Sequence, residues 1–136
     1  MSKTKYFTFT GNMLGALTLI IMVTLVHFVF PSHKVEIAAI ILAIVATVYP
    51  AIMLAQNVPL KDALAEGGAA AVTLTLALLG LVFVPALIAA GLLFHAIWDW
   101  IKHRTGTGVK VVAWYPPMCA IVDTFSALYI FWVISL

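Results

Sequence analysis

Residues 67–100, GGAAAVTLTLALLGLVFVPALIAAGLLFHAIWDW, decide how many times this chain crosses a membrane. The stretch carries no charged residue before Asp99. As one helix it would be about 50 Å long at about 1.5 Å per residue, whereas the hydrocarbon core of a bilayer is about 30 Å thick. We therefore expect a turn near Gly80–Pro85 that divides the stretch into two helices.

The rest of the chain consists of similar apolar runs, each near the length of about 20 residues that a membrane-spanning helix needs. Hydrophobic residues make up 65% of the sequence and charged residues 9%, against about a quarter charged in a soluble domain. The sequence thus predicts an all-α fold, a polytopic membrane helical bundle forming a single domain over residues 1–136. The five predicted spans are Gly11–Phe30, Val35–Leu54, Leu60–Val82, Val84–Lys102 and Trp114–Ser135.

The distribution of Lys and Arg favours five spans over four, because cytoplasmic loops of membrane proteins are enriched in these residues. With five spans, only Lys34 lies on the opposite side from all the other basic residues, whereas four spans divide them almost evenly. We therefore expect the N-terminus in the cytoplasm and the C-terminus outside. The basic residues on the predicted cytoplasmic side are Lys3, Lys5, Lys61, Lys102, Arg104 and Lys110.

Ionisable residues recur at four-residue spacing in the last two spans. His95, Asp99 and His103 follow one another at this spacing, and so do Cys119 and Asp123, so each set lies along one side of its helix. Since the two helices would run antiparallel, we expect Asp99 level with Cys119 and His95 level with Asp123. Ionisable groups inside a span are costly and mark candidate functional sites.

Polar residues of the neighbouring spans should lie at the same end of the bundle. Glu66 falls in the first turns of the third span, and Tyr49 and Gln56 fall near the end of the second. A polar pocket that opens toward the cytoplasmic leaflet would keep these groups away from lipid.

Two kinds of chemistry fit this set of residues. In a catalytic site that acts on a lipophilic small molecule, His95 paired with Asp99 would be the general base, and Asp123 or Glu66 would be the general acid. As a metal site, the same groups would bind one divalent ion. His95 and His103 are about 12 Å apart along a helix axis, so a single ion would use one of them. The candidate metal ligands are His95, Asp99, His103, Asp123 and Cys119.

Each candidate also has a structural interpretation. The His95–Asp99 pair could only orient two helices, and His103 could be an exposed histidine in a basic segment. Cys119 could be a small packing residue, and Glu66 could be an acid that favours a helix start. There are therefore two alternatives to an enzyme. One is a protein that binds or transports a metal ion or protons, working as a homo-oligomer. The other is a non-catalytic scaffold with a structural polar lock, a buried polar cluster that only holds the helices together. Nucleic acid is not expected as a partner, because the net charge of +2 comes from scattered residues.

The segments LFHAIWDWIKH, residues 93–103, and CAIVD, residues 119–123, resemble a family of small bacterial membrane proteins known as domain of unknown function 6010. Its pattern has His-x-x-Trp-Asp-x-x-His-His and later Cys-Ala-Ile-x-Asp. The family also carries a glutamate upstream of the first histidine, and Glu66 resembles it in position. Lys102 departs from the pattern, because it stands where the family has the first histidine of the pair. The resemblance implies a bacterial inner membrane but no activity. The matching residues are His95, Trp98, Asp99, His103, Cys119, Ala120, Ile121 and Asp123.

Overall fold

A computed structural model describes residues 3–135, with side chains from Phe9 onward. Within this range the chain forms five long α-helices and no strand, so the predicted all-α bundle is confirmed. The helices are α1 (Lys3–Val23), α2 (Lys34–Met53), α3 (Leu60–Val82), α4 (Ala86–Thr105) and α5 (Tyr115–Ser135).

The predicted turn between the third and fourth helices is present. Helix α3 ends at Val82, and Pro85 directly precedes α4, where a residue without a backbone N–H costs little. Gly80 lies against the start of α4: a Cβ at this glycine would be 2.5 Å from Ile88 Cγ1 and 2.9 Å from its backbone nitrogen. The small residue therefore allows the two helices to pack closely just before the chain reverses.

Helix α1 departs from the predicted span at both ends. It begins at Lys3 rather than Gly11, since the prediction followed the uninterrupted apolar run alone. At its other end the α-helix gives way to a π-helix over Thr24–Val29. A short 3-10 turn over Pro31–His33 then leads into α2.

The outer surface of the bundle is strongly apolar. Large side chains such as Ile20, Leu78, Ile97 and Phe125 are more than half exposed, which is unfavourable in water but not in lipid. Among the described residues, four segments are long and apolar enough to cross a membrane, and they lie on α1, α2, α3 and α5: Phe9–Val29, Pro31–Met53, Leu60–Val82 and Tyr115–Ser135. Helix α4 is not in that group because it carries the polar residues described below. These features indicate an integral membrane protein.

The interior of the bundle has an apolar half and a polar half. The apolar core lies at the end where α1 connects to α2, and it includes Val26, Leu42, Ile88 and Ile130. The opposite end, near the α4–α5 loop, contains most of the buried ionisable side chains: those of Glu66, His95, Asp99, Lys102 and Asp123.

Helix α1 packs on α5 rather than along α2. Its Gly11 and Gly15 permit this approach: a Cβ at Gly11 would lie 2.7 Å from the ring of Trp114, and one at Gly15 would lie 3.2 Å from Val122. Because α1 packs along α5, a space remains between α1 and α2 beside the polar half of the bundle.

Candidate functional site

His95 of α4 lies between two buried carboxylates. Its Nδ1 is 2.8 Å from Asp123 Oδ2, across the α4–α5 interface, and 3.3 Å from Asp99 Oδ2, one turn along its own helix. All three residues are at most 5% exposed. One imidazole nitrogen therefore faces two acids in a region from which water is largely excluded. The four-residue spacing had placed His95 level with Asp123, and the structure brings them into contact.

Tyr49 of α2 closes this cluster from the other side. Its hydroxyl donates a hydrogen bond to Asp99 Oδ1, and its ring stacks on the His95 ring with centroids 5.9 Å apart and planes at 17°. Within the described part of the chain, the buried Asp99 Oδ2 accepts no hydrogen bond. Tyr49 thus fixes both the carboxylate and the imidazole, and one carboxylate oxygen stays available for a proton or a cation.

A cavity of about 320 Å³ borders the cluster between α1, α2 and α5. Leu14, Val45 and Val48 are among its apolar lining residues. The polar side is formed by residues that include His95, Asp123, Tyr49, Tyr115 and Cys119. The site therefore combines an apolar space with ionisable groups along one wall.

A second buried polar group lies closer to the α4–α5 loop. Lys102 of α4 forms an ion pair with Glu66 of α3, and their side chains are 2% and 1% exposed. The other Glu66 oxygen accepts a hydrogen bond from Trp98 Nε1 at 3.1 Å. A charged pair at this depth requires such additional donors, because burying either charge alone is costly.

The α4–α5 loop is folded onto this ion pair. Val109 donates its backbone N–H to Glu66 Oε1 at 3.0 Å, and Gly108 donates its N–H to Asp62 at 3.3 Å. Gly108 has φ +85°, and a Cβ at this position would meet the Glu66 carboxylate and Lys102 Nζ. A glycine is therefore required by both the backbone conformation and the close contact.

The ion pair and the His95 cluster meet at Tyr49. Lys102 Nζ lies 4.0 Å from the centroid of the Tyr49 ring, in the arrangement of a cation–π interaction. The same tyrosine carries the hydroxyl that binds Asp99. Residues of α2, α3, α4 and α5 thus form one connected polar group.

The predicted site residues occupy three different environments. His95, Asp99 and Asp123 come together, with ligand atoms within 4.8 Å of one another, and form a group that could hold a metal ion. Glu66 lies with Lys102 instead of with these three, and Cys119 is half-buried in the cavity wall beside Tyr115. His103 is exposed, with its ring 5.7 Å from that of Trp100.

Lys102 is the residue that sequence reasoning missed, since the prediction treated it only as the last residue of the fourth span and as one of the basic residues on the cytoplasmic side. Helical geometry contained the signal. A residue seven positions after His95 is displaced by only about 20° around the helix, whereas one eight positions after it is displaced by about 80°. Lys102 therefore faces the bundle interior with His95, and His103 does not.

Comparison with known proteins identifies the family and no function. No curated protein and no solved structure matches the chain. A family model described as "Family of unknown function (DUF6010)" matches residues 11–135, which include all five site candidates on α4 and α5 as well as Glu66. The chain therefore belongs to the DUF6010 family.

Proposed function

We propose that the protein is a membrane enzyme that transfers a proton to or from a lipophilic small molecule bound in the cavity between α1, α2 and α5. The observation that carries this proposal is the position of the buried His95–Asp123 pair on the wall of an apolar cavity. A purely structural polar lock needs the hydrogen bonds but not the adjacent space.

In this proposal His95 is the base. With Nδ1 donating to Asp123, Nε2 is the nitrogen that accepts the substrate proton, and the nearby carboxylates stabilise the imidazolium that forms. Asp123 orients the ring, in place of the acid role that its sequence position suggested. Tyr49 holds Asp99, so the second carboxylate is fixed before the substrate binds.

The size and lining of the cavity favour a small lipophilic substrate. Its volume of about 320 Å³ lies at the lower end of the range for small-molecule sites, about 300–1,000 Å³. On the side of α1 and α2 its lining includes the apolar residues Leu14, Val45 and Val48, which are exposed or half-buried. The substrate would enter from the bilayer between these helices.

Ligand binding tests the proposal. A panel of lipophilic molecules is screened for thermal stabilisation of the protein in detergent. Each hit is repeated with Val48→Phe, which places a larger side chain in the cavity and replaces no ionisable residue. Val72→Phe on the exposed face of α3 is the matched control. Stabilisation that is lost in Val48→Phe and retained in Val72→Phe supports the cavity as the binding site. Stabilisation by the same molecules in both variants contradicts it.

Metal binding is the second candidate function, and it rests on a different observation. His95, Asp99 and Asp123 offer one nitrogen and two carboxylates close together, and the buried Asp99 Oδ2 has no hydrogen-bond partner among the described residues. A divalent ion would balance the two acids with the imidazole neutral, using ligands suited to zinc or manganese. A transport protein would use this ion as cargo and an enzyme would use it as a Lewis acid.

Elemental analysis separates the metal candidate from proton chemistry. Protein purified without chelator is compared with the Asp99→Asn and His103→Gln variants. Near-stoichiometric metal that is lost in Asp99→Asn but kept in His103→Gln favours metal binding as the function of the site. Folded wild-type protein without metal favours proton transfer.

The proposed setting is a bacterial inner membrane with the N-terminus in the cytoplasm. The excess of Lys and Arg near the α4–α5 and α2–α3 connections supports this orientation. A C-terminal alkaline phosphatase fusion should therefore be active, and an inactive fusion that is stably inserted would reverse the orientation.

A further inference from the structure

The outer faces of α4 and α5 form a second concave surface that the proposed reaction does not use. A groove of about 460 Å³ runs between the two helices on the side away from the His95 cavity. Its lining is apolar and includes Leu93, Ile97 and Trp100 of α4 and Ile121 and Phe125 of α5. This surface has the shape and polarity to hold an acyl chain.

A pocket with a different character lies at the loop end of the same two helices. It has a volume of about 220 Å³, and its lining includes Lys102, His103 and Lys110 but no carboxylate. Glu66 already neutralises Lys102. Lys110 is exposed and uses one N–H of its ammonium on the Gly106 carbonyl at 2.7 Å, so two donors remain for a ligand.

The groove and the pocket are continuous along the helices. On α4 the groove residues follow the helical spacing 93, 97, 100, and the next position at that spacing is His103 in the pocket. The ring contact between Trp100 and His103, at 5.7 Å, joins the two parts. On α5 the groove begins at Ala120, and Pro116, one turn earlier, lines the pocket.

We propose that this surface binds an anionic phospholipid, with an acyl chain in the α4–α5 groove and the phosphate beside Lys110 and His103. The charge arrangement supports this occupant. The cationic end lies where α4 ends and α5 begins, at the level of lipid headgroups, and the apolar end lies deeper in the bilayer. Basic pockets between helices at a membrane face commonly take phosphate headgroups, and a zwitterionic lipid would gain less there.

Tryptophan quenching tests the proposal on the intact protein. The protein is placed in phosphatidylcholine nanodiscs containing a small fraction of phosphatidylglycerol with brominated chains, and then in discs in which the brominated lipid is phosphatidylcholine. The signal of Trp100 is isolated by subtracting that of Trp100→Phe. We expect Trp100 to be quenched more strongly by the anionic lipid.

Charge variants connect this preference to the pocket. Lys110→Gln removes one lysine–phosphate interaction, which is worth about 1 kcal/mol. Its preference for phosphatidylglycerol over phosphatidylcholine should therefore be about five-fold lower than that of the wild type. The matched control is Lys61→Gln, which removes an exposed charge at the same end of the bundle but outside the pocket, and it should leave the preference unchanged. Circular dichroism checks that both variants are folded. Equal quenching by the two lipids, or an equal loss in both variants, would overturn the proposal.

Discussion

Replacing Lys102 by methionine should destabilise the protein far more than replacing any exposed basic residue. The substitution keeps much of the apolar stem but leaves Glu66, 1% exposed, without its cation. Removing one partner of a buried ion pair costs about 3–5 kcal/mol. Glu66 retains hydrogen bonds from Trp98 and from the Val109 backbone, so we expect the lower end of that range, about 3 kcal/mol.

A double-mutant cycle isolates the interaction. Glu66→Gln should also be destabilising, because the buried charge of Lys102 then faces an amide and the Tyr49 ring instead of a carboxylate. Combining Lys102→Met with Glu66→Gln removes both charges, so the double variant should be more stable than the sum of the single changes predicts, by about 2 kcal/mol.

The free energy of unfolding is measured in mixed micelles with sodium dodecyl sulfate as denaturant and circular dichroism as the signal. Arg104→Met, an exposed cation two residues along α4, is the matched control and should change stability by less than about 0.5 kcal/mol. A Lys102→Met effect as small as that of Arg104→Met, or additive effects of the two changes in the cycle, would contradict a stabilising ion pair between Lys102 and Glu66.

Two further predictions concern the residues that support the site. Gly108→Ala should destabilise by more than about 1 kcal/mol, because φ is +85° and the added Cβ would meet Glu66. Gly67→Ala should be neutral or stabilising, because a Cβ added there would meet no atom within 4 Å apart from its chain neighbours and the backbone of its own helix. Equal effects of the two substitutions in the same unfolding assay would contradict this account. Tyr49→Phe keeps the ring but removes the hydroxyl from buried Asp99, so it should cost about 1–3 kcal/mol. An unchanged free energy of unfolding for Tyr49→Phe would mean that Asp99 has another donor in solution.

The sequence was sufficient to predict the number of helices and to place His95 level with Asp123. Apolar runs of membrane length set the number of helices, and antiparallel helices with four-residue repeats set the depth of His95 and Asp123. These predictions rely on local spacing and on the thickness of a bilayer, which do not depend on details of packing. The separation of residues 67–100 into two helices followed from length, and the distribution of Lys and Arg independently favoured it.

The parts that could not be predicted depend on contacts between distant segments. Burial of Lys102 requires the α4–α5 loop to fold back so that Val109 and Gly108 reach α3, and neither periodicity nor charge counting describes such a loop. The pairing of Glu66 with Lys102 rather than with the histidine cluster has the same origin. The cavity arises because Gly11 and Gly15 allow α1 to pack closely on α5, a contact between distant segments that the apolar pattern of α1 does not reveal.

Proton exchange into a membrane-derived molecule tests the central proposal most directly. Purified protein is incubated in D₂O with a lipid extract, and the extract is analysed by mass spectrometry for species that gain deuterium or change structure. The proposal predicts such a species with wild type and with His103→Gln, and its absence with His95→Gln. If no species changes with folded wild-type protein, or if His95→Gln remains as active as His103→Gln, then His95 is not the base of a proton-transfer enzyme.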